Sequence, residues 1–321
     1  MTGRPAPPRP RGLGRLASPQ ALARLAAAAG LFPVAGLLLG RHWFFDLFNH
    51  FQAQYFAFLL LSCLGLLAWR RPRLALVPAL LLVLPAWRLA PLYLPGSSAT
   101  DEASLRVATF NVLTRNERFG EVIEWIRRTD PDFLYLPETN ERWNRQLESL
   151  DDDWPHHLDH PVAGNFGFSF RSKHPILADH TRDLGLLEIP LMELVVETPH
   201  GPVTVLGAHP VPPVNGLWSR ERDGYLAELA RVARDHEGRL VLLGDLNATR
   251  WSRAMRPLLS ETPLHDTAEG HGFSATWHRV NPLAAIPIDH ILVQGFTACV
   301  SRSTGPDLGS DHRPVVAELA W

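Results

Sequence analysis

Residues 239–247, RLVLLGDLN, hold the most concentrated chemistry in the chain. Four apolar residues end at Gly244, and a carboxylate (Asp245), one apolar residue and a side-chain amide (Asn247) follow. Side chains of extended chain repeat every two residues, so Asp245 and Asn247 are expected on the same side. Glycine lets the backbone turn tightly or lie close to a ligand. A carboxylate and an amide at the mouth of a buried strand suit a hard cation or a phosphate. A strand closed by an ordinary Asp/Asn turn gives the same pattern, so this stretch alone does not decide.

The pattern recurs. Asn111 follows an apolar strand read at 105–110, Glu138 one at 133–136, and His209 one at 203–208. Asp289 opens a strand at 289–293, and Asp311 and His312 precede the last one, at 315–319. Each has a bland reading: His209 as a structural histidine, Glu138 as a helix cap before Thr139-Asn140-Glu141. A layered α/β domain, however, lines up its strand ends along one rim, so residues distant in sequence converge there. The elements that must position them include helices at 121–128 and 220–236, the second with Ser219 as N-cap and Gly238 as stop. A strand at 166–170 leads to Ser172 and a turn through His174-Pro175. An antiparallel pair is expected at 193–197 and 203–208, turning through 199–202.

The 321-residue chain has a net charge of −2 and a single lysine, Lys173. No global basic field is available to hold nucleic acid. The bias to arginine, with abundant Ala, Leu and Pro, points to a bacterial genome rich in GC. Two cysteines, Cys63 and Cys299, do not make a disulfide framework.

Composition changes near residue 95. Residues 1–24 are rich in Arg and Pro and are expected to be disordered. Apolar runs follow at 25–40, 51–69 and 74–90, near the length of about 20 residues that a membrane-spanning helix needs. Pro33, Pro78 and Pro85 interrupt them, which membrane helices tolerate. A soluble helical hairpin would need a polar face that these runs lack, and further runs argue against a cleaved signal peptide. Residues 91–103 read as a linker and 104–321 as a catalytic domain. Arginines 4, 9, 11, 15 and 24, and 70, 71 and 73, place the N-terminus and the second loop in the cytoplasm. Three crossings then put the catalytic domain outside a bacterial cell membrane. Trp43, Phe44, Phe45, Trp69, Trp87 and Tyr93 fall where interfacial aromatic belts occur.

The motif order resembles the endonuclease/exonuclease/phosphatase superfamily of metal-dependent phosphoesterases, across residues 104–321. The matching pieces are VATFNV at Asn111, PDFLYLPET at Glu138, FGFSFRSKHPI from Phe166, VLGAHP at His209, LLGDLNA at Asp245 and Asn247, IDHILV at Asp289, and GSDHRPVVAEL at Asp311 and His312. The layout with a membrane region ahead of the domain resembles a bacterial branch that includes a teicoplanin-resistance membrane protein. The resemblance implies an α+β fold, a four-layer α/β/β/α sandwich of DNase I type behind three transmembrane helices. It assigns Mg²⁺ or Mn²⁺ to Glu138, with Asn111 and Asp311 nearby. It gives Asp245 the attacking water, Asn247 the developing oxyanion, and His209 and His312 the phosphate, with Asp289 holding His312. Whether Asp245 or His312 is the formal base stays open. Three positions depart from the pattern. Pro137 replaces a common Gln, GDLN replaces GDFN, and Phe166 stands where nucleases of the family often carry Tyr, which removes a phenolic donor.

The expected activity is hydrolysis of a phosphate ester or pyrophosphate at the outer membrane face, on a lipid-linked substrate in preference to nucleic acid. The alternatives are a nuclease, a catalytically inactive binding module, and a transport or scaffold role for the N-terminal part. Intramembrane ionisable groups are few, which argues against transport.

Overall fold

The computed structural model describes residues 18–94, 104–162, 164–277, 281 and 283–321. Most of the expected disordered segment and of the expected linker lies outside them.

The N-terminal region is a helical bundle. Helix α1 is Pro19–Leu39, α2 is Trp43–Asp46, α3 is Gln52–Ala68 and α4 is Pro72–Leu89, with a 3-10 turn, Leu47–Phe51, joining α2 to α3. Three stretches are long and apolar enough to cross a membrane: Pro19–Leu39, Trp43–Ala68 and Pro72–Leu92, of 21, 26 and 21 residues. The first begins earlier than the apolar pattern suggested, so residues 19–24 are helical. Ser18 accepts a hydrogen bond from the Ala21 N–H, and Pro19 supplies a preset φ at the first position. Arg24 had hidden this start. Pro33, Pro78 and Pro85 remain inside their helices.

The remainder folds as two packed sheets. In chain order come β1 (Ser104–Thr109), α5 (Phe119–Thr129), β2 (Phe133–Pro137), α6 (Glu141–Leu147), β3 (His156–His160) and β4 (Phe168–Ser172). Then follow β5 (Ile176–Asp179), β6 (Arg182–Leu184), β7 (Ile189–Val196), β8 (Val203–Ala208), α7 (Gly216–Asp235) and β9 (Arg239–Asp245). Last are α8 (Arg256–Ser260), β10 (His265–Asp266), β11 (Asp289–Gln294), β12 (Ala298–Thr304) and β13 (Val315–Ala320). One sheet has the order β12-β13-β1-β2-β4-β3; the other is β10-β11-β9-β8-β7-β5, with β6 against β7.

Three apolar layers hold the sandwich. Val107, Phe133, Tyr135, Val205, Leu243 and Ile291 fill the space between the sheets. Trp125, Trp143 and Leu136 seal α5 and α6 onto the first sheet, and Leu226, Leu229 and Leu242 seal α7 onto the second. The layers are α/β/β/α. Each such buried aliphatic or Phe side chain stabilises by about 1.5–3 kcal/mol.

Several elements differ from expectation. Helix α7 starts one turn before Ser219, because the Asn215 side chain accepts from the Leu217 and Trp218 N–H groups. Strand β4 lies two residues later than 166–170. Strands β3 (HHLDH) and β12 (ACVSRST) pair at sheet edges despite few apolar residues. Asn140, not Glu138, caps α6.

The bundle and the sandwich are joined through polar contacts and through an apolar cluster in which Leu89 and Leu92 meet Trp251; residues 91–94 do not separate them. Asp46 accepts from Ser252 Oγ at 2.6 Å and from the Arg253 N–H at 2.8 Å, and lies 3.5 Å from Arg222. Asp46 and Arg222 are both buried. Gly272 donates to the Leu92 carbonyl at 2.6 Å, and Trp251 Nε1 to that of Arg88 at 2.9 Å. The segment 41–50, expected as a loop between spans, is therefore a docking element.

Candidate active site

The site sits on one rim of the sandwich. The parallel pair β1 and β2 delivers Asn111 and Glu138 just past its C-terminal ends, and the parallel pair β8 and β9 delivers His209 and Asp245. Antiparallel β11 starts at the same rim with Asp289, directly opposite Asp245 in register. The turn before β13 adds Asp311 and His312. Gly244 is required here. Its φ is +140°, and a Cβ would lie 2.0 Å from the Ala208 carbonyl oxygen. The close approach is to the neighbouring strand rather than to a ligand.

Asp245 is the hub. Its Oδ2 accepts from Asn111 Nδ2 at 3.1 Å and lies 3.4 Å from His209 Nε2 and 3.5 Å from His312 Nε2. Its Oδ1 accepts the Asn247 N–H at 2.9 Å. Asn111 Nδ2 also reaches Glu138 Oε1 at 3.0 Å, while Glu138 Oε2 accepts the Thr114 N–H at 3.3 Å. His312 Nδ1 lies 2.9 Å from Asp289 Oδ2. His312 thus bridges two carboxylates held side by side on adjacent strands. Glu138 (φ +64°) and Asn247 (φ +47°) both have left-handed backbones, a conformation that costs energy away from glycine and concentrates at functional sites.

Electrostatics follow from that packing. Burial disfavours charge on His312, but Asp289, Asp245 and Asp311 outweigh it and push its pKa up to about 10. Burial disfavours charge on Asp245 too, yet the His312 and His209 rings and the Asn247 N–H bring it down to about 2. His209 is raised despite its burial, by the Asp245 hydrogen bond and by the charges of Asp245 and Glu138. The resting site therefore holds an imidazolium, His312, against an ionised Asp245.

The fold brings all eight sequence-derived residues together. Asn247 joins them for a different reason than strand alternation. The strand ends at Asp245, and a tight Asx turn folds Asn247 back, where its Nδ2 donates to the Pro210 carbonyl at 2.9 Å. Asp311 is half-buried and accepts from Trp277 Nε1 at 3.1 Å. These groups open into a cavity of about 750 Å³. Its walls are mostly apolar and include Leu47, Phe51, Phe166, Val214, Trp218 and Ile286. Phe166 stacks at a tilt on His209, with centroids 5.6 Å apart.

One residue of this cavity was missed from sequence. His50, in the turn after α2, lines it although it belongs to the helical bundle. Its Nδ1 accepts the Thr249 N–H at 3.2 Å, so the proton resides on Nε2, which is buried with no hydrogen-bond partner among the described residues. No local pattern marks this histidine. The signal available was a polar FNH step inside an apolar region.

Asp245, Asp289 and His312 offer ligand atoms within 4.8 Å of one another. Both ring nitrogens of His312 already face carboxylates, Nδ1 at Asp289 and Nε2 at Asp245. Glu138 suits a hard divalent cation better. It is buried beside Asp245 with Asn111 and Thr114 as neutral partners, and its closest ring nitrogen is His209 Nε2 at 3.9 Å. No Lys or Arg lines the cavity among the described residues. The four carboxylates Glu138, Asp245, Asp289 and Asp311 exceed His209 and His312 by two negative charges, even with both rings protonated. That deficit fits a divalent cation held by oxygen ligands.

The sequence profile of the Endonuclease/Exonuclease/phosphatase family matches residues 108–312. The chain belongs to this family, whose members are in general metal-dependent phosphoesterases or nucleases. No curated protein matches the sequence. Among solved structures it is similar to an endonuclease/exonuclease/phosphatase from Beutenbergia cavernae DSM 12333, with 20% identity, a TM-score of 0.59, and 68% of this chain and 71% of that one covered. It is also similar to the 3′ phosphatase NExo from Neisseria bound to product DNA hairpin (21% identity, TM-score 0.56, 68% and 100% covered). TDP2 from D. rerio, complexed with single-strand DNA product, aligns at 14% identity and a TM-score of 0.58, covering 68% and 100%. At these identities the likeness establishes the shared fold.

Proposed function

We propose that the protein is a membrane-anchored, divalent-metal-dependent phosphoesterase. Its substrate is a phosphate or pyrophosphate ester of an apolar alcohol, taken at the outer face of a bacterial membrane. The observation that carries the reading is the composition of the cavity: a charged floor built for a phosphate, under apolar walls to which the bundle contributes Leu47, Phe51 and His50. A nucleic acid substrate calls for Lys and Arg side chains interleaved with aromatics, and among the described residues neither lines this cavity.

In the proposed reaction a water oxygen attacks phosphorus, the P–O bond to the leaving group breaks, and the proton lost by the water passes by way of a phosphoryl oxygen to the leaving oxygen. Asp245, ionised throughout, orients the water; with its pKa near 2 it is a weak base and acts chiefly by alignment. His312 carries its proton and donates to a phosphoryl oxygen, and Asp289 keeps it charged. This favours His312 as phosphate ligand over His312 as base. Asn247 uses one amide hydrogen on Pro210 and offers the other to the developing oxyanion, a contact of a kind worth about 3–4 kcal/mol. His209 flanks the phosphate from β8. His50 Nε2–H donates to an oxygen of the substrate on the bundle side. Glu138, with Asn111 and Asp311 nearby, is the place for Mg²⁺ or Mn²⁺, which when bound neutralises charge on the phosphoryl oxygens.

The test is a Mg²⁺/Mn²⁺-dependent hydrolysis panel on the full chain. It covers bis-p-nitrophenyl phosphate, an isoprenoid pyrophosphate and plasmid DNA, with Glu138→Ala and His312→Ala in parallel. Phosphate release from the isoprenoid substrate without DNA cleavage supports the reading. Efficient DNA cleavage with no action on the isoprenoid overturns it.

A further inference from the structure

A second cavity, of about 590 Å³, lies where the ends of α1 and α4 meet the segment after β9. It is separate from the active site: Asn49 lines this one, and the next residue, His50, lines the other. One wall is apolar and belongs to the bundle, with Gly36, Leu37 and the largely exposed Trp87. Guanidinium groups enter the cavity from the bundle (Arg88) and from the segment after β9 (Arg253 and Arg256). Arg88 is fixed there by a 2.7 Å hydrogen bond to Asn49 Oδ1. Arg253 and Arg256 are exposed, and no carboxylate among the described residues lies within ion-pair distance of either. Arg250 also lines the cavity but is committed to Asp266 and Glu269. Among the described residues no Asp or Glu lines it.

Three guanidiniums facing one space without an acid make a site for an anion with several oxygens. Guanidinium matches phosphate in planar geometry and in charge. The apolar wall selects which phosphate. Leu37 and Trp87 lie on the outer surfaces of helices long enough to span a bilayer, one turn or less from their ends, where tryptophan marks the level of the headgroups. A soluble phosphate has no use for that wall. We infer that this cavity binds the headgroup phosphate of an anionic phospholipid from the leaflet facing the catalytic domain, its acyl chains running down α1 and α4. The inference rests on the reading that the bundle crosses a membrane. It also accounts for Arg88, a charge in the last turn of α4. Because Arg253 directly follows Ser252, and both are tied to Asp46, a lipid held here would brace the docking of the bundle on the sandwich.

The experiment uses the full chain. Resistance of the membrane-bound protein to alkaline carbonate is measured first. The protein is then reconstituted with equal phosphatidylglycerol and phosphatidylcholine, repurified in detergent, and its retained lipid is quantified. Retention of phosphatidylglycerol over phosphatidylcholine is expected. The Arg253→Gln/Arg256→Gln double variant should lower that ratio on the order of tenfold, while hydrolysis of bis-p-nitrophenyl phosphate stays unchanged. Equal retention of the two lipids, or an unchanged ratio in the double variant, overturns the site. Displacement of the lipid by millimolar glycerol phosphate also overturns it, because the headgroup alone would then suffice. Release of the protein by carbonate removes the membrane reading itself, an outcome distinct from loss of selectivity in a carbonate-resistant protein.

Discussion

His312 is held between two carboxylates that face each other across β9 and β11, and its charge follows from that position. Asp289→Asn removes the stronger partner while keeping its shape, so Asp245 and Asp311 alone hold the charge on the ring and its orientation toward the phosphate weakens. The kcat should fall by about 10²–10⁴-fold with little change in KM, as measured on bis-p-nitrophenyl phosphate. Glu138→Gln acts on another function. The activity should need at least about tenfold more Mg²⁺ and recover at excess metal, whereas Asp289→Asn should not recover. Chelation with EDTA should abolish the activity of the parent protein, with Mg²⁺ or Mn²⁺ restoring it. His50→Ala removes one hydrogen-bond donor from the bundle side of the cavity. A loss near tenfold in kcat/KM, corresponding to about 1.4 kcal/mol, is expected for a lipid-linked substrate. An equal loss on bis-p-nitrophenyl phosphate would argue against a role in gripping the larger substrate.

At the scale of elements, strands delivered what the apolar runs promised. The rim ends of β1, β2, β8, β9, β11 and β13 carry the polar residues read from sequence, because an apolar run buried on both faces has nowhere to stop except at the rim. Edges were less legible. Strand β12 has a half-exposed face and alternates weakly, and β3 carries three histidines; both pair because a neighbouring backbone offers free hydrogen-bonding groups. The start of α7 was displaced for a similar reason, since Asn215 and Ser219 are both good caps and only packing selects between them. Gly244 ties element to site. Gly244→Ala combines a positive φ with a backbone collision at 2.0 Å and should destabilise the sandwich by at least about 2 kcal/mol. Chemical denaturation of the variant beside the parent measures this.

The whole molecule is a bundle and a sandwich that share a polar joint. Asp46 and Arg222 are buried together at its centre. Asp46→Ala leaves Arg222 with the largely exposed Asp223 as its remaining ion partner, beside the Asn247 carbonyl, and takes an acceptor from Ser252 Oγ, the Arg253 N–H and Asn49 Nδ2. A cost of about 3 kcal/mol is expected, at the low end for a broken buried pair because Asp223 remains. Limited proteolysis near residue 50 should accelerate, and activity on a lipid-linked substrate should fall more than activity on bis-p-nitrophenyl phosphate. A variant with unchanged proteolysis and activity would show that the joint is not needed.

The sequence by itself determined the core strands along the chain, the eight polar residues near their ends and the three long apolar helices. These are local properties, set by the period of apolar residues and by where it breaks. Tertiary structure decided how those residues act on one another. Register placed Asp289 opposite Asp245 and so charged His312. A left-handed turn, rather than strand alternation, brought Asn247 to Asp245. Docking of the segment 43–51 placed His50 in the cavity and left Arg88, Arg253 and Arg256 around a second one. Residues 50 and 249 are far apart along the chain, and no periodicity encodes their meeting; only the packing of the bundle on the sandwich does. RLVLLGDLN thus announced a site, while its charge state, its apolar walls and its tie to the bundle arose from contacts between distant segments.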